Sequence, residues 1–176
     1  MTQSAQNYVP QDIGKHFRSQ ALKVWGAAVG VVFLWVFVIV FAPVALENGW
    51  LGLSSPIYGF FSYACHQLAD RSLYFDGHPL AVCSRCFGVY FGLLAGLAVY
   101  PLWRPIEDVE PLARFWLFLS LIPIGVDWSL TVFGIWGNTH ASRFITGLIL
   151  GVTCATYIVP ALVEIKRNMS ANRRAA

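Results

Sequence analysis

Apolar residues in this chain run in long blocks broken by short polar stretches, and the lengths of the blocks predict its elements. "ALKVWGAAVGVVFLWVFVIVFAP" holds about twenty apolar residues between Lys23 and Pro43, the length a helix needs to cross the hydrocarbon core of a bilayer. It is longer than a signal-peptide core of about 7–15 residues and reads as a retained span. "CFGVYFGLLAGLAVYPLW" (Cys86–Trp103), "LARFWLFLSLIPIGVDWSLTVFGIW" (Leu112–Trp136) and "FITGLILGVTCATYIVPALV" (Phe144–Val163) predict three more. The block from Trp50 to Cys65 is shorter and broken by Pro56, so it fits either a fifth span or a short helix at the membrane interface.

Charge separates these two. Lys and Arg collect on the cytoplasmic flanks of membrane helices. With four spans and the N-terminus inside, Lys15, Arg18, Lys23, Arg104, Arg114, Lys166, Arg167, Arg173 and Arg174 lie inside, and Arg71, Arg85 and Arg143 lie outside. Nine against three is a strong bias, whereas five spans would leave six on each side. The predicted fold class is therefore an all-α membrane protein of four transmembrane helices, with a short interfacial helix in the outer loop. Residues 1–20 form a polar, loosely ordered cytoplasmic tail and 21–165 the transmembrane domain. The outer loop occupies about 44–85, and 166–176 form a basic cytoplasmic tail. The expected location is a bacterial inner membrane, with both termini cytoplasmic.

Composition fits that class. The chain is 57% hydrophobic and 12% charged, against about 25% charged residues in soluble domains. The lipid bilayer is the first partner this implies. No basic run interleaved with aromatics suggests a nucleic acid, and no glycine-rich strand-to-helix turn suggests a nucleotide. Gly88, Gly92 and Gly96 in the second span, Gly147 and Gly151 in the fourth, and Gly26 and Gly30 in the first recur at four-residue spacing. Such stripes let helix backbones approach closely, and they predict contact between the second and fourth spans. They also suit packing on a membrane-protein partner or on a second copy of the chain.

Against this apolar background, "CHQLADRSLYFDGHPLAVCSRC" gathers three of the four cysteines and two of the four histidines. One reading is a closed zinc site of three cysteines and one histidine. Its candidates are Cys65, Cys83 and Cys86, with His66 or His78. Cys65 and His66 are adjacent and do not easily share one ion, which favours His78. A second reading is a thiol–disulfide oxidoreductase passing electrons to quinone, as four-helix membrane thiol oxidases do. A helix N-terminus and Arg85 would then bias Cys83 toward the reactive thiolate. A third is a structural disulfide that clasps the outer loop. Cys154 lies alone in mid-span, where a cysteine serves as a small apolar filler.

Asp127 is the one acidic residue deep in any predicted span, and an intramembrane carboxylate marks a functional site by default. Nine residues separate it from Trp136, which places it about 13 Å below the outer interface at about 1.5 Å per residue. Arg143, opening the fourth span, is the expected structural partner. Alternatively Arg71, Arg85, Asp127 and Arg143 line a wet pocket whose surplus positive charge suits an anionic small molecule or lipid head group. His140 and Asn138 would then add donors at its rim.

"FFSYACHQLADRSLYFDGHPLAVCSRCFGVYFG" followed by "PIGVDWSLTVFG" and "NTHASRFITGLILG" resembles an uncharacterised prokaryotic polytopic membrane-protein family, domain of unknown function 2085. The resemblance covers roughly residues 56–151. It rests on the Cys-His-Gln, the C-x-R-C-x-G-x-Y, the intramembrane Asp and the Arg-x-x-T-G, all in order. Where the family pattern carries glycine after the aspartate and glutamine further on, this chain has Trp128 and Leu130, so no glutamine role carries over there. The resemblance implies a compact multi-pass membrane protein and brings no activity with it.

Overall fold

The computed structural model describes residues 11–175. Helix α1 covers Gln11–Glu47, α2 Leu51–Ser62, α3 Ser84–Trp103, α4 Phe115–Val132 and α5 His140–Ala175. Four of them, α1, α3, α4 and α5, are long and apolar enough to cross a membrane. The polar segment expected to be a loose tail is helical from Gln11 onward, continuous with the first span. Residues 1–10 of that tail lie outside the described residues. The short α2 is the outer-loop helix. It turns back against the C-terminal half of α1, where Ser54 Oγ donates to the carbonyl of Ala42 at 3.2 Å and Trp35 meets Phe60 and Phe61 edge to face.

Between α2 and α3 the chain forms one 3-10 turn, Ala69–Arg71, and a two-stranded hairpin of β1 (Tyr74–Phe75) and β2 (His78–Pro79). Phe75 faces His78 across the turn, and Asp76 and Gly77 both take positive φ, 46° and 81°. Positive φ at both central residues is the turn that matches strand twist, and Asp-Gly is among the pairs that adopt it most readily.

Helices α3 and α5 run parallel and touch backbone to backbone. A Cβ built at Gly88, Gly92, Gly147 or Gly151 would overlap the carbonyl oxygen of Phe144, Leu148, Arg85 or Val89, respectively. At Gly96 it would come within 2.8 Å of Ala155 Cβ. Gly26 and Gly30 of α1 face open space instead, so the first span's glycines take no part in this contact. The core divides in two. Ala21, Leu97, Tyr100, Ala155, Val159 and Val163 pack toward one end, and Ile39, Ala42, Phe61, Leu80, Ala81 and Val82 pack around Cys65 at the other.

Candidate metal centre and the cavity beside it

The three loop cysteines converge from two directions. Cys65 follows α2, while Cys83 is the N-cap of α3 and Cys86 lies in its first turn. Gln67, between them in sequence, holds the approach. Its amide donates to the carbonyls of Tyr58 at 2.8 Å and Ala81 at 2.7 Å, tying the end of α2 to the residues that lead into Cys83. Gln67 adopts a φ of 49° to do so, a conformation uncommon for a residue with a side chain.

The result is a group of three sulfur atoms within 4.8 Å of one another, with Cys65 buried and the other two half-buried. All three are free thiols. The backbone N–H of Cys83 donates to Cys65 Sγ at 3.2 Å. Donation from the Cys83 thiol, then from Cys86, together with the N–H groups of Cys83 and Gln67, holds the Cys65 thiol well below its ordinary range, against the opposing effect of burial. Arg85, expected beside Cys83, is turned toward α4, where it pairs with Asp127.

Neither histidine belongs to that group. His78 sits on the hairpin, where its Nε2 lies 3.0 Å from Glu47 Oε2 at the end of α1; the β-turn carries it away from the thiols, and the expectation that it is the better fourth ligand is corrected. His66 is exposed and lines a cavity of about 280 Å³ together with Cys65, Gln67, Arg71, Cys83 and Cys86.

A second cavity of about 220 Å³ lies on the other side of Cys83 and Cys86. Arg71, Arg85, Asn138 and Arg143 line it, with Trp128, Thr131 and Val132 of α4 and its end. Asp127 is 9% exposed and accepts from the guanidinium of Arg85 and from Asn138 Nδ2 at 3.0 Å. Its countercharge is thus Arg85, not Arg143. The C-x-x-C spacing places Arg85 in the first turn of α3, within reach of α4, whereas Arg143 has no ion-pair partner among the described residues. Helix α4 stops at Val132, so Asp127 lies five residues, or about 7.5 Å, from the helix end. His140 is not at the cavity wall; its Nδ1 lies 2.9 Å from the buried Ser84 Oγ, which also donates to the Arg71 carbonyl at 2.9 Å.

The sequence reading missed Gln67, Ser84 and the hairpin. Asp76-Gly77 between "LYF" and "HPL" was the signal for the hairpin. Gln67 stood out only within the Cys-His-Gln motif, and neither its role nor that of Ser84 could be read locally, since their partners lie elsewhere in the sequence.

The family described as "Predicted membrane protein (DUF2085)" matches residues 65–157, from the first thiol of the group to the middle of α5. The chain belongs to that family. An uncharacterized protein of Methanocaldococcus jannaschii is 38% identical over 119 residues, which cover 68% of this chain and 76% of the relative. An uncharacterized protein of Methanothermobacter thermautotrophicus is 33% identical over 95 residues, covering 54% of this chain and 84% of the relative. No solved structure matches. The family match begins at Cys65 and so takes in the thiol group and the Arg-lined cavity, but not α1 or α2.

Proposed function

We propose that this DUF2085 protein carries a metal centre on the outer face of a cytoplasmic membrane, in which Cys65, Cys83 and Cys86 hold a soft divalent cation, zinc by choice of donors. The observation that supports this is the convergence of three free thiols within 4.8 Å of one another. Tetrahedral zinc–thiolate bonds of about 2.3 Å place sulfurs within that limit of one another, so the cluster has the spacing to hold one ion. The N–H of Cys83 directed at Cys65 Sγ stabilises thiolate charge in the same way as backbone donors in structural zinc sites. The fourth position is left to His66, which lines the adjoining cavity, or to a ligand from outside the chain. On this reading the centre fixes the outer loop and forms one wall of the Arg-lined cavity, which receives an anion. The same arrangement gives both termini to the cytoplasm, in accord with the nine-to-three distribution of Lys and Arg.

Metal analysis of the full chain purified in detergent without chelator tests the reading. About one equivalent of zinc is expected, reduced to a similar degree by Cys65→Ser, Cys83→Ser or Cys86→Ser because ligands of one ion act as a unit, and unchanged by Cys154→Ser. In intact cells, a membrane-impermeant maleimide should label the three cysteines only after chelation, and only from outside. Metal-free protein with a Cys83–Cys86 disulfide that opens and re-forms under a quinone couple would replace this reading with the thiol oxidoreductase.

A further inference from the structure

The parallel packing of α3 and α5 has an electrostatic effect at the outer end of the bundle. Two helix N-termini lie side by side there, linked by the Ser84–His140 contact of 2.9 Å, and each carries roughly half a positive charge. The N-cap of α3, Cys83, supplies no side-chain hydrogen bond to the first turn. In α5, Thr139 Oγ1 satisfies only the N–H of Ser142, at 3.1 Å. Three arginines add to this field: Arg71, Arg85 and Arg143 all line the 220 Å³ cavity.

Against them stand the carboxylate of Asp127, already committed to Arg85 and Asn138, and the sulfurs of Cys83 and Cys86, which also line the cavity and whose charge a bound cation would offset. Asp70 lies 3.6 Å from Arg71, but both side chains are largely exposed, and water screens such a pair. Arg143 remains without an acidic partner among the described residues. Two residues that line the cavity each carry a buried polar atom without a hydrogen bond: Arg85 Nε, a donor, and Asn138 Oδ1, an acceptor. The amide orientation of Asn138 is fixed, because its Nδ2 donates to Asp127.

We propose that this cavity is a phosphate-binding site, in which Arg143, Arg71 and Arg85 Nε donate to the phosphate oxygens and Asn138 Oδ1 accepts from a hydroxyl on the phosphate or on its ester group. Donors arrive from α3, from α5 and from the loop at Arg71. A tetrahedral oxyanion with three or four oxygens uses such a spread, whereas the two coplanar oxygens of a carboxylate match a single guanidinium fork. Free phosphate and the phosphate of a lipid head group present the same chemistry at this depth. The proposal rests on the anion half of the function proposed above and is independent of whether the thiols hold metal.

The test uses the full chain in detergent, with inorganic phosphate as the first probe, titrated calorimetrically against chloride at matched ionic strength. The second probe is phosphatidylglycerol, compared with phosphatidylcholine in nanodiscs and read as lipid retained in native mass spectra. Arg143 is the residue to change, since its removal leaves the Arg85–Asp127 pair intact. Arg143→Gln should weaken whichever phosphate binds by about tenfold or more, the worth of one charge-assisted hydrogen bond. Arg143→Lys should restore part of that loss, and the metal content of both variants should match the parent chain. Binding of inorganic phosphate identifies the free anion, and retention of phosphatidylglycerol alone identifies the lipid; either supports the site. Phosphate binding by metal-free protein also supports it while removing the metal reading. The proposal is overturned if neither probe exceeds its control, or if Arg143→Gln binds as tightly as the parent.

Discussion

Helices α5 and α4 are both held in the bundle, but by opposite means. Lipid tails are as apolar as a leucine face, so helices in a bilayer associate through close packing or through polar contacts. The contact of α5 with α3 uses the first, with glycines meeting carbonyl oxygens along three turns. Helix α4 uses the second and is fastened near its ends. At one end, Asp127 accepts from Arg85 and Asn138. At the other, the Ala113 carbonyl accepts from Tyr157 at 2.8 Å and the Glu107 carbonyl from Arg167 at 2.6 Å. Between these points Phe118, Ile122 and Val126 lie exposed. One attachment tolerates no side chain along its length, whereas the other tolerates most changes except at a few polar atoms.

The largest effect should therefore come from a glycine at the α3–α5 contact. In Gly92→Leu the new side chain meets the backbone of Leu148, which no rotamer change can clear, so the cooperative thermal transition in detergent should be lost. Gly26→Leu, on a face with nothing within 4 Å, should leave it unchanged. A wild-type midpoint for Gly92→Leu would remove the asymmetry between the two attachments.

Next comes the outer tether. Arg85→Leu leaves the Asp127 carboxylate buried without its cation, a loss of about 3–5 kcal/mol for buried pairs, and toward the lower end here because Arg85 is 23% exposed. Adding Asp127→Asn should recover much of it. Arg143→Leu, which breaks no pair, should stay within about 0.5 kcal/mol of the parent. Equal stability of Arg85→Leu and the double variant would mean that the pair is not what holds α4.

The smallest effect belongs to the inner loop that leads into α4. Arg104 lies 3.0 Å from Asp108 and holds its carboxyl below the usual carboxylate range. A depressed carboxyl stabilises the fold above its unfolded value and loses that contribution as the pH falls through the folded one. Asp108 is 38% exposed, so the contribution is at most about 1 kcal/mol. Asp108→Asn should lower stability near neutrality by up to that amount, converge with the parent at low pH, and so flatten the acid arm of the thermal-stability profile. An acid arm as steep as the parent's would exclude the ion pair as an inner anchor.

How far the sequence revealed these features depends on the range of each interaction. Hydropathy summed over about twenty residues exposed the four spans, and the arginine distribution set the segment around Pro56 apart as a short helix. The meeting of Gly88 and Gly92 with the fourth span was readable because it repeats. The partner of Asp127 was not. Proximity along the predicted topology pointed to Arg143, but α4 ends at Val132 instead of Trp136, and a few residues of helix length decide which arginine is in reach. The thiols were marked by their spacing, while the fourth ligand depended on where a two-residue turn aims His78. Asp76-Gly77 carried that information locally. Gln67 stood in the Cys-His-Gln motif, but its role did not show there, since its acceptors are the carbonyls of Tyr58 and Ala81.

The parallel contact between α3 and α5 also constrains the order in which the protein is assembled. Parallel neighbours in a membrane need an intervening crossing, so the glycine face of α3 must wait in lipid until α4 and then α5 have been synthesised and inserted. Helix α4 packs on α5 and barely on α3, so the Arg85–Asp127 pair spans two helices that α5 holds together, and the last helix to be made is the one on which both attachments depend.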